Sequence, residues 1–278
     1  MRKTLLFIVT LISLQRVFGQ SNPQVDNIIK REMTERKIPG LQVAIVNKGQ
    51  IVLNKSYGIA NVQDSIAVTE KSIFAINSCT KVFTAVAVMQ LVEQCKLNLS
   101  APASSYLNDL PASWSAITIK QLLTHTSGLP DLLKLLDGKT GGIGNNTEAS
   151  LWEKIKTVPL DFAAGEKFSY NQTNAYLLGK IINKLSGQTF QENFKKNQFD
   201  LAGLKNTLFG DSRDVIPHFA PTYFYRKNID GQPFNIPKLI NNYYEFPYFR
   251  QNASGLNSTA TDLANWIICF AKWKTIAI

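Results

Sequence analysis

The sequence predicts an α+β fold, with an antiparallel sheet flanked by helices and joined to a helical lobe. Three observations predict it. They are a β-branched hairpin near the amino end, one almost wholly apolar segment over residues 81–96, and a series of helical segments beyond residue 101 where strand signals are sparse. The 278 residues, 45% hydrophobic and 18% charged, can bury one large core, which excludes disordered, collagenous and disulfide-scaffold classes.

Residues 1–19 read as a signal peptide, with Arg2-Lys3, an apolar run over residues 5–14 and Val17-Phe18-Gly19 before Gln20 in secretory order. The apolar run is too short to span a bilayer. No cysteine precedes Cys79, so no lipid-attachment cysteine follows the leader, and the expected location is secreted or periplasmic. Residues 20–278 read as one domain. Loss of Arg2, Lys3 and Arg16 leaves 27 basic against 20 acidic residues, a scattered excess of +7.

Residues 25–36 carry helical spacing (Val25, Ile28, Ile29, Met33) and stop before Pro39-Gly40. Leu41-Gln42-Val43-Ala44-Ile45-Val46, the turn Asn47-Lys48-Gly49-Gln50 and Ile51-Val52-Leu53 read as an antiparallel hairpin of two short strands. The segment 81–96 reads as a helix buried on nearly all sides. Later helices are expected at 119–123, 151–155, 174–185, 190–199 and 262–272. Residues 138–144 read as a glycine-rich loop and residues 223–249 as an irregular aromatic stretch bordering a cleft.

Three cysteines, Cys79, Cys95 and Cys269, imply no disulfide framework. Cys79 and Cys95 are expected on one helix about 24 Å apart, packed as small apolar residues. His125 and His218 stand apart from each other and from the cysteines, so no metal and no cofactor is expected. Arg226, Lys227 and Arg250 among aromatics are the best nucleic-acid feature, yet no basic run accompanies them, and no nucleic-acid partner is expected.

Ser78-Cys79-Thr80-Lys81 opens the apolar helix. Three-residue spacing puts both side chains on one face, about 5–6 Å apart at Cβ, within reach of each other. A serine hydroxyl needs a base to become a nucleophile, and lysine serves once desolvation lowers its pKa. Alone, the pattern also fits a helix cap followed by a surface lysine. Tyr170-Asn171-Gln172, just before a helix, adds a hydroxyl that can relay protons and an amide that can hold a carbonyl or the lysine.

With these residues the chain resembles the serine β-lactamase-related hydrolases: class C β-lactamases, D-Ala-D-Ala carboxypeptidases and the esterases of the same fold. Four blocks in family order carry the resemblance. They are Phe74-Ala75-Ile76-Asn77-Ser78-Cys79-Thr80-Lys81, Leu122-Leu123-Thr124-His125-Thr126-Ser127-Gly128-Leu129-Pro130, Gly165-Glu166-Lys167-Phe168-Ser169-Tyr170-Asn171-Gln172, and Ser254-Gly255-Leu256-Asn257-Ser258-Thr259-Ala260-Thr261-Asp262-Leu263. The resemblance implies Ser78 as acylated nucleophile, Lys81 as its base and Tyr170 as second proton-transfer group. It implies a β-lactamase or penicillin-binding-protein-like fold.

Two departures stand out. Gln172 replaces the usual Asn, and its added methylene is expected to weaken substrate positioning, so that Gln172→Asn should raise turnover. The family's Lys-Thr-Gly or His-x-Gly strand is not found after Tyr170. Lys139-Thr140-Gly141 precedes the tyrosine in the glycine-rich loop, and Leu133 stands where a phosphate loop needs glycine. The sheet is therefore expected to be incomplete, the domain ending before its C-terminal strands.

His125 lacks a Gly-x-Ser-x-Gly elbow and reads as part of a packed loop, His218 as a surface or cleft residue, and Glu166 as a solvated turn charge. The function read is a serine hydrolase acting through an acyl-enzyme on an amide, ester or β-lactam of a small-molecule or peptide substrate. The alternative is a non-catalytic relative binding peptidoglycan-like or peptide ligands in the same cleft.

Overall fold

The computed structural model describes residues 23–135, 147–229 and 232–272. The leader and the loop holding Lys139-Thr140-Gly141 lie outside the described residues. In chain order the elements are α1 (Pro23–Glu35), β1 (Gly40–Asn47), β2 (Gln50–Asn61), β3 (Ile66–Ala67), β4 (Phe74–Ala75), α2 (Thr80–Glu93), α3 (Ile119–Leu123), α4 (Glu148–Lys156) and α5 (Gln172–Ser186). There follow α6 (Phe190–Phe194), α7 (Asp200–Ala202), β5 (Leu208–Phe209), β6 (Tyr223–Ile229), β7 (Gln232–Asn241), α8 (Tyr248–Ser254), β8 (Leu256–Ser258) and α9 (Ala260–Lys272).

The hairpin forms as its turn chemistry requires. Asn47 pairs with Gln50, and the two loop residues, Lys48 and Gly49, have φ of 49° and 72°, the signature of a turn whose twist matches the strands. The second strand is longer than expected and reaches Asn61, where it also pairs with β3. Successive residues of β2 face opposite sides. Lys55 and Tyr57 engage Asp26 of α1 at 2.8 and 2.6 Å, whereas Asn54 donates to Thr261 of α9 at 3.0 Å. Helices α1 and α9 thus cover opposite faces of the sheet. Among the described residues β1 pairs only with β2.

The helical lobe centres on α2 and α5. Phe83, Val88, Leu91, Leu177, Ile181 and Ile182 are all buried there, and Phe83, Phe194, Phe199 and Phe209 form an aromatic cluster with ring centroids about 6 Å apart. Helix α2 is less enclosed than its composition implies, since Val82 is half exposed. A short sheet, β4-β8-β5, ties the lobe together with β8 in the middle.

Four local expectations are corrected. Helix α2 starts only at Thr80 and ends at Glu93, so Cys79 and Cys95 flank it, and both are exposed instead of packed. The reasons are backbone ones: Asn77 has φ 46° and opens a tight turn ahead of the helix, and Cys95 has φ 56° in a left-handed helix stop. The segment 190–199 is not one helix. A π-helical turn over Lys195–Phe199 follows α6 and swings Gln198 and Phe199 inward together, where Gln198 bonds the Phe83 carbonyl at 2.8 Å and the Trp266 indole at 3.2 Å. The stretch 223–249 contains the β6–β7 hairpin instead of irregular chain. Its two-stranded form leaves only edge strands, which tolerate Pro233 and Pro237. Strands are accordingly less sparse beyond residue 101 than the residue pattern implies.

Among the described residues no helix is long and apolar enough to cross a membrane.

Candidate active site

Ser78 sits in a tight turn, Asn77–Cys79, that feeds directly into α2. The turn and the start of α2 are bolted down by one local bond and by two from far along the chain. Thr80 donates to the Asn77 carbonyl at 2.6 Å, Ile76 donates to the Leu256 carbonyl at 3.0 Å, and Thr84 donates to the Asn252 carbonyl at 2.6 Å. Ser78 is left exposed at the mouth of the lobe, one helical turn from Lys81.

Lys81 is held from two sides. Its Nζ donates to Gln172 Oε1 at 2.8 Å and to the Ala253 carbonyl at 3.0 Å. It also lies 4.8 Å from the centre of the Tyr170 ring. Burial disfavours the charged ammonium and pushes its pKa below the ordinary lysine range. Tyr170 opposes that shift and Arg250 adds to it. Burial would raise the Tyr170 hydroxyl, but its interactions with Lys81, Ser78 and Gln172 outweigh burial and bring it below the ordinary phenol range. The three groups named from the sequence, Ser78, Lys81 and Tyr170, therefore converge, and Gln172 joins them.

The second block builds the platform for Tyr170. Residues 125–128 pair with residues 161–169 through Ser169 N–H to His125 O (2.8 Å), Gly165 N–H to Thr126 O (2.7 Å) and Asp161 N–H to Gly128 O (2.8 Å). His125, with φ 56°, lays its ring against Tyr170 at 4.6 Å between centroids, and its Nδ1 accepts the Asn171 amide at 3.2 Å. Burial lowers the His125 pKa, and the nearby Lys81 charge lowers it further. A neutral imidazole suits a ring that accepts at Nδ1. His125 thus positions the tyrosine. His218 is exposed, and Glu166 is exposed with Oε2 accepting the Ala163 amide at 3.1 Å.

Gln172 occupies the first turn of α5, behind an Asn171 cap that accepts the Asn174 amide at 3.3 Å. Its own amide donates to Asp131 Oδ1 at 3.3 Å. With the backbone held there, the extra methylene carries the side-chain oxygen onto Lys81 instead of away from the site. Shortening it by one carbon, about 1.5 Å, would open that bond. We therefore expect Gln172→Asn to lower acylation roughly 2- to 10-fold, the worth of a hydrogen bond to a neutral amine. This reverses the expectation drawn from the residue type alone. A gain in kcat/KM would show that the start of α5 follows the shorter side chain.

Sequence reasoning missed three contributors: the Ala253 carbonyl, Asp131 and Arg250. A backbone carbonyl leaves no trace in residue types, and the other two lie outside the family blocks as recognised. Among the described residues no group of three or more His, Cys, Asp or Glu side chains is placed to hold a metal.

A serine, a lysine and a tyrosine at one mouth of a mixed helix and antiparallel-sheet fold are what β-lactamase and penicillin-binding-protein folds present. The chain belongs to the Beta-lactamase family, whose pattern matches residues 25–276. It is 28% identical over 256 residues to Protein flp of Staphylococcus aureus (strain MW2), covering 91% of this chain and 49% of that protein. It is 28% identical over 261 residues to a teichoic acid D-alanine hydrolase of Staphylococcus aureus, covering 94% of this chain and 61% of that one. Among solved structures it superposes on an octameric penicillin-binding protein homologue from Pyrococcus abyssi with TM-score 0.74 and 29% identity, covering 91% of this chain and 57% of the other. The chain spans about half the length of the first of these curated relatives.

Proposed function

We propose that this protein is a serine hydrolase that forms an acyl-enzyme at Ser78 from an amide, ester or β-lactam. The observation that carries the proposal is the clamped Lys81, whose amine is desolvated beside the serine and fixed by Gln172 and Ala253. Ser78 Oγ attacks the substrate carbonyl while its proton passes to the neutral Lys81 amine, directly or relayed through the Tyr170 hydroxyl. The proton then moves to the departing amine or alkoxide, and the C–N or C–O bond breaks. Water attacks the acyl-Ser78 ester by the same relay in reverse, releasing the acid and the free serine.

The non-catalytic reading drew on the Lys-Thr-Gly or His-x-Gly strand not found after Tyr170 and on Gln172 as a defect. Its bond to Lys81 supports the enzyme instead. The relative named for teichoic acid D-alanine suggests D-alanyl esters and amides as first substrates to assay, and the leader read at residues 1–19 supports a secreted or periplasmic site of action.

A fluorescent phosphonate or a penicillin is expected to label the protein at Ser78, and Ser78→Ala to remove the label. Label persisting in Ser78→Ala would sink the assignment.

The pH profile supplies a second test. The acylating form needs Lys81 neutral, so the rate rises with pH and the rise falls below the ordinary lysine range, because burial disfavours the ammonium. Tyr170 holds the Lys81 pKa up, so Tyr170→Phe should move the rise to lower pH while reducing the plateau. Stopped-flow acylation across pH measures both. A rise that moves to higher pH in Tyr170→Phe would contradict this coupling.

A further inference from the structure

Helix α6, the π-helical turn that follows it, helix α7 and the chain entering β5 border a cavity of about 600 Å³. That volume lies within the roughly 300–1,000 Å³ that small-molecule sites occupy. Neither Ser78 nor Lys81, Tyr170 or Gln172 lines it.

Its floor is apolar, and the backbone is the cause. The π-helical turn over Lys195–Phe199 carries Phe199 inward, where its ring lies 6.3 Å from that of Phe209 in β5, and Leu204 and Leu208 complete the floor. Phe199 and Leu204 are buried, whereas Leu208 and Phe209 are only half-buried, so the cavity leaves apolar carbon uncovered there. Turns of this type recur at functional sites.

The rim is charged. Lys195 and Asp200 pair at 2.6 Å and offset each other. Lys205 is exposed on the same rim, and among the described residues no carboxylate lies within salt-bridge distance of it. Asp262, behind Thr207, is buried and engaged inward: its Oδ2 accepts the Asn206 amide at 2.7 Å and the Thr207 hydroxyl at 2.9 Å. An apolar floor therefore lies beneath one unmatched positive charge. Lysine suits such a rim, because its alkyl stem lies along apolar surface while the ammonium stays in water.

We propose that this cavity is a second binding site, separate from Ser78, for a ligand with an alkyl chain and an anionic head, namely a fatty acid carboxylate. The chain leaves water for the floor of Phe199, Leu204, Leu208 and Phe209, and the head meets Lys205. The site does not rest on the serine-hydrolase reading, since none of its residues takes part in that chemistry.

Isothermal titration with dodecanoate, dodecanol and dodecyltrimethylammonium, each below its micellar concentration, tests the proposal, because the three share a chain and differ in the charge at its end. The protein should bind one dodecanoate, and should bind it more tightly than either of the others. Lys205→Glu, a change on an exposed side chain, should weaken dodecanoate about fivefold and leave dodecanol unchanged. Leu208→Trp, which fills the cavity, should weaken both. Should Leu208→Trp fail to fold, Lys205→Glu decides the matter. Equal affinity for the three head groups, no saturable binding, or dodecanoate binding that Lys205→Glu leaves unchanged would overturn the proposal. So would binding to phosphatidylglycerol vesicles without binding of free dodecanoate, which would assign Lys205 to a bilayer surface instead of a cavity.

Discussion

Lys81→Arg is expected to slow acylation of Ser78 by about 10²- to 10⁴-fold, the usual worth of a positioned general base. That range corresponds to about 3–5 kcal/mol of barrier. Arginine keeps a positive charge and hydrogen-bond donors for Gln172 and the Ala253 carbonyl, but it stays protonated and cannot accept the serine proton. The variant thus separates the role of charge from the role of base. Lys81→Ala should lose at least as much, and both variants should melt within a few degrees of the wild type, since the side chain is only partly buried. Burst-phase kinetics with a chromogenic ester or β-lactam measures the loss. Near-normal acylation in Lys81→Arg would assign the base to Tyr170 alone.

Gly128→Ala is expected to be strongly damaging. Gly128 has φ +73°, and a Cβ there would collide with the Phe162 carbonyl oxygen while lying 3.0 Å from its carbon. A side chain in the left-handed region costs about 1–2 kcal/mol, and overpacking against a backbone carbonyl adds about 1–3. For a domain of this size each kcal/mol lowers Tm by about 2–4 °C. Gly128 also accepts the Asp161 amide at 2.8 Å, so the strain falls on the pairing that carries His125 and Tyr170. Acylation should therefore fall in the fraction that remains folded. Gly187→Ala is the comparison: its φ is +68° but nothing lies within 4 Å of the added carbon, so it should lose only the conformational part. Equal melting temperatures for the two variants would show that the 125–128 loop yields easily.

Much of this protein is written in short-range pattern. The Lys48-Gly49 turn, the apolar run of α2 and the three-residue step from Ser78 to Lys81 are all local, and local geometry follows from residue type and spacing. Where a local rule was overridden, a backbone or edge effect did it. Asn77 and Cys95 take left-handed φ and trim α2 at both ends, the π-helical turn at Lys195–Phe199 breaks a continuous helical pattern, and two prolines disguise β7.

The sequence by itself determined the α+β class, the hairpin, the helical lobe and the identity of Ser78, Lys81, Tyr170 and Gln172 as residues to test. The tertiary structure alone decided what surrounds them. Lys81 meets Gln172 across 91 residues of chain and the Ala253 carbonyl across 172, and no periodicity in a single sequence encodes contacts at those separations. Whether an added methylene in Gln172 spoils or makes a bond depends on where α5 begins, which the Asn171 cap and Asp131 set together. Likewise Arg250 stands in the sequence only as one basic residue near aromatics, and the packed fold brings its charge within electrostatic reach of Lys81. Residue chemistry is carried by the chain itself, but desolvation and distance, which convert that chemistry into a site, are properties of the packed fold.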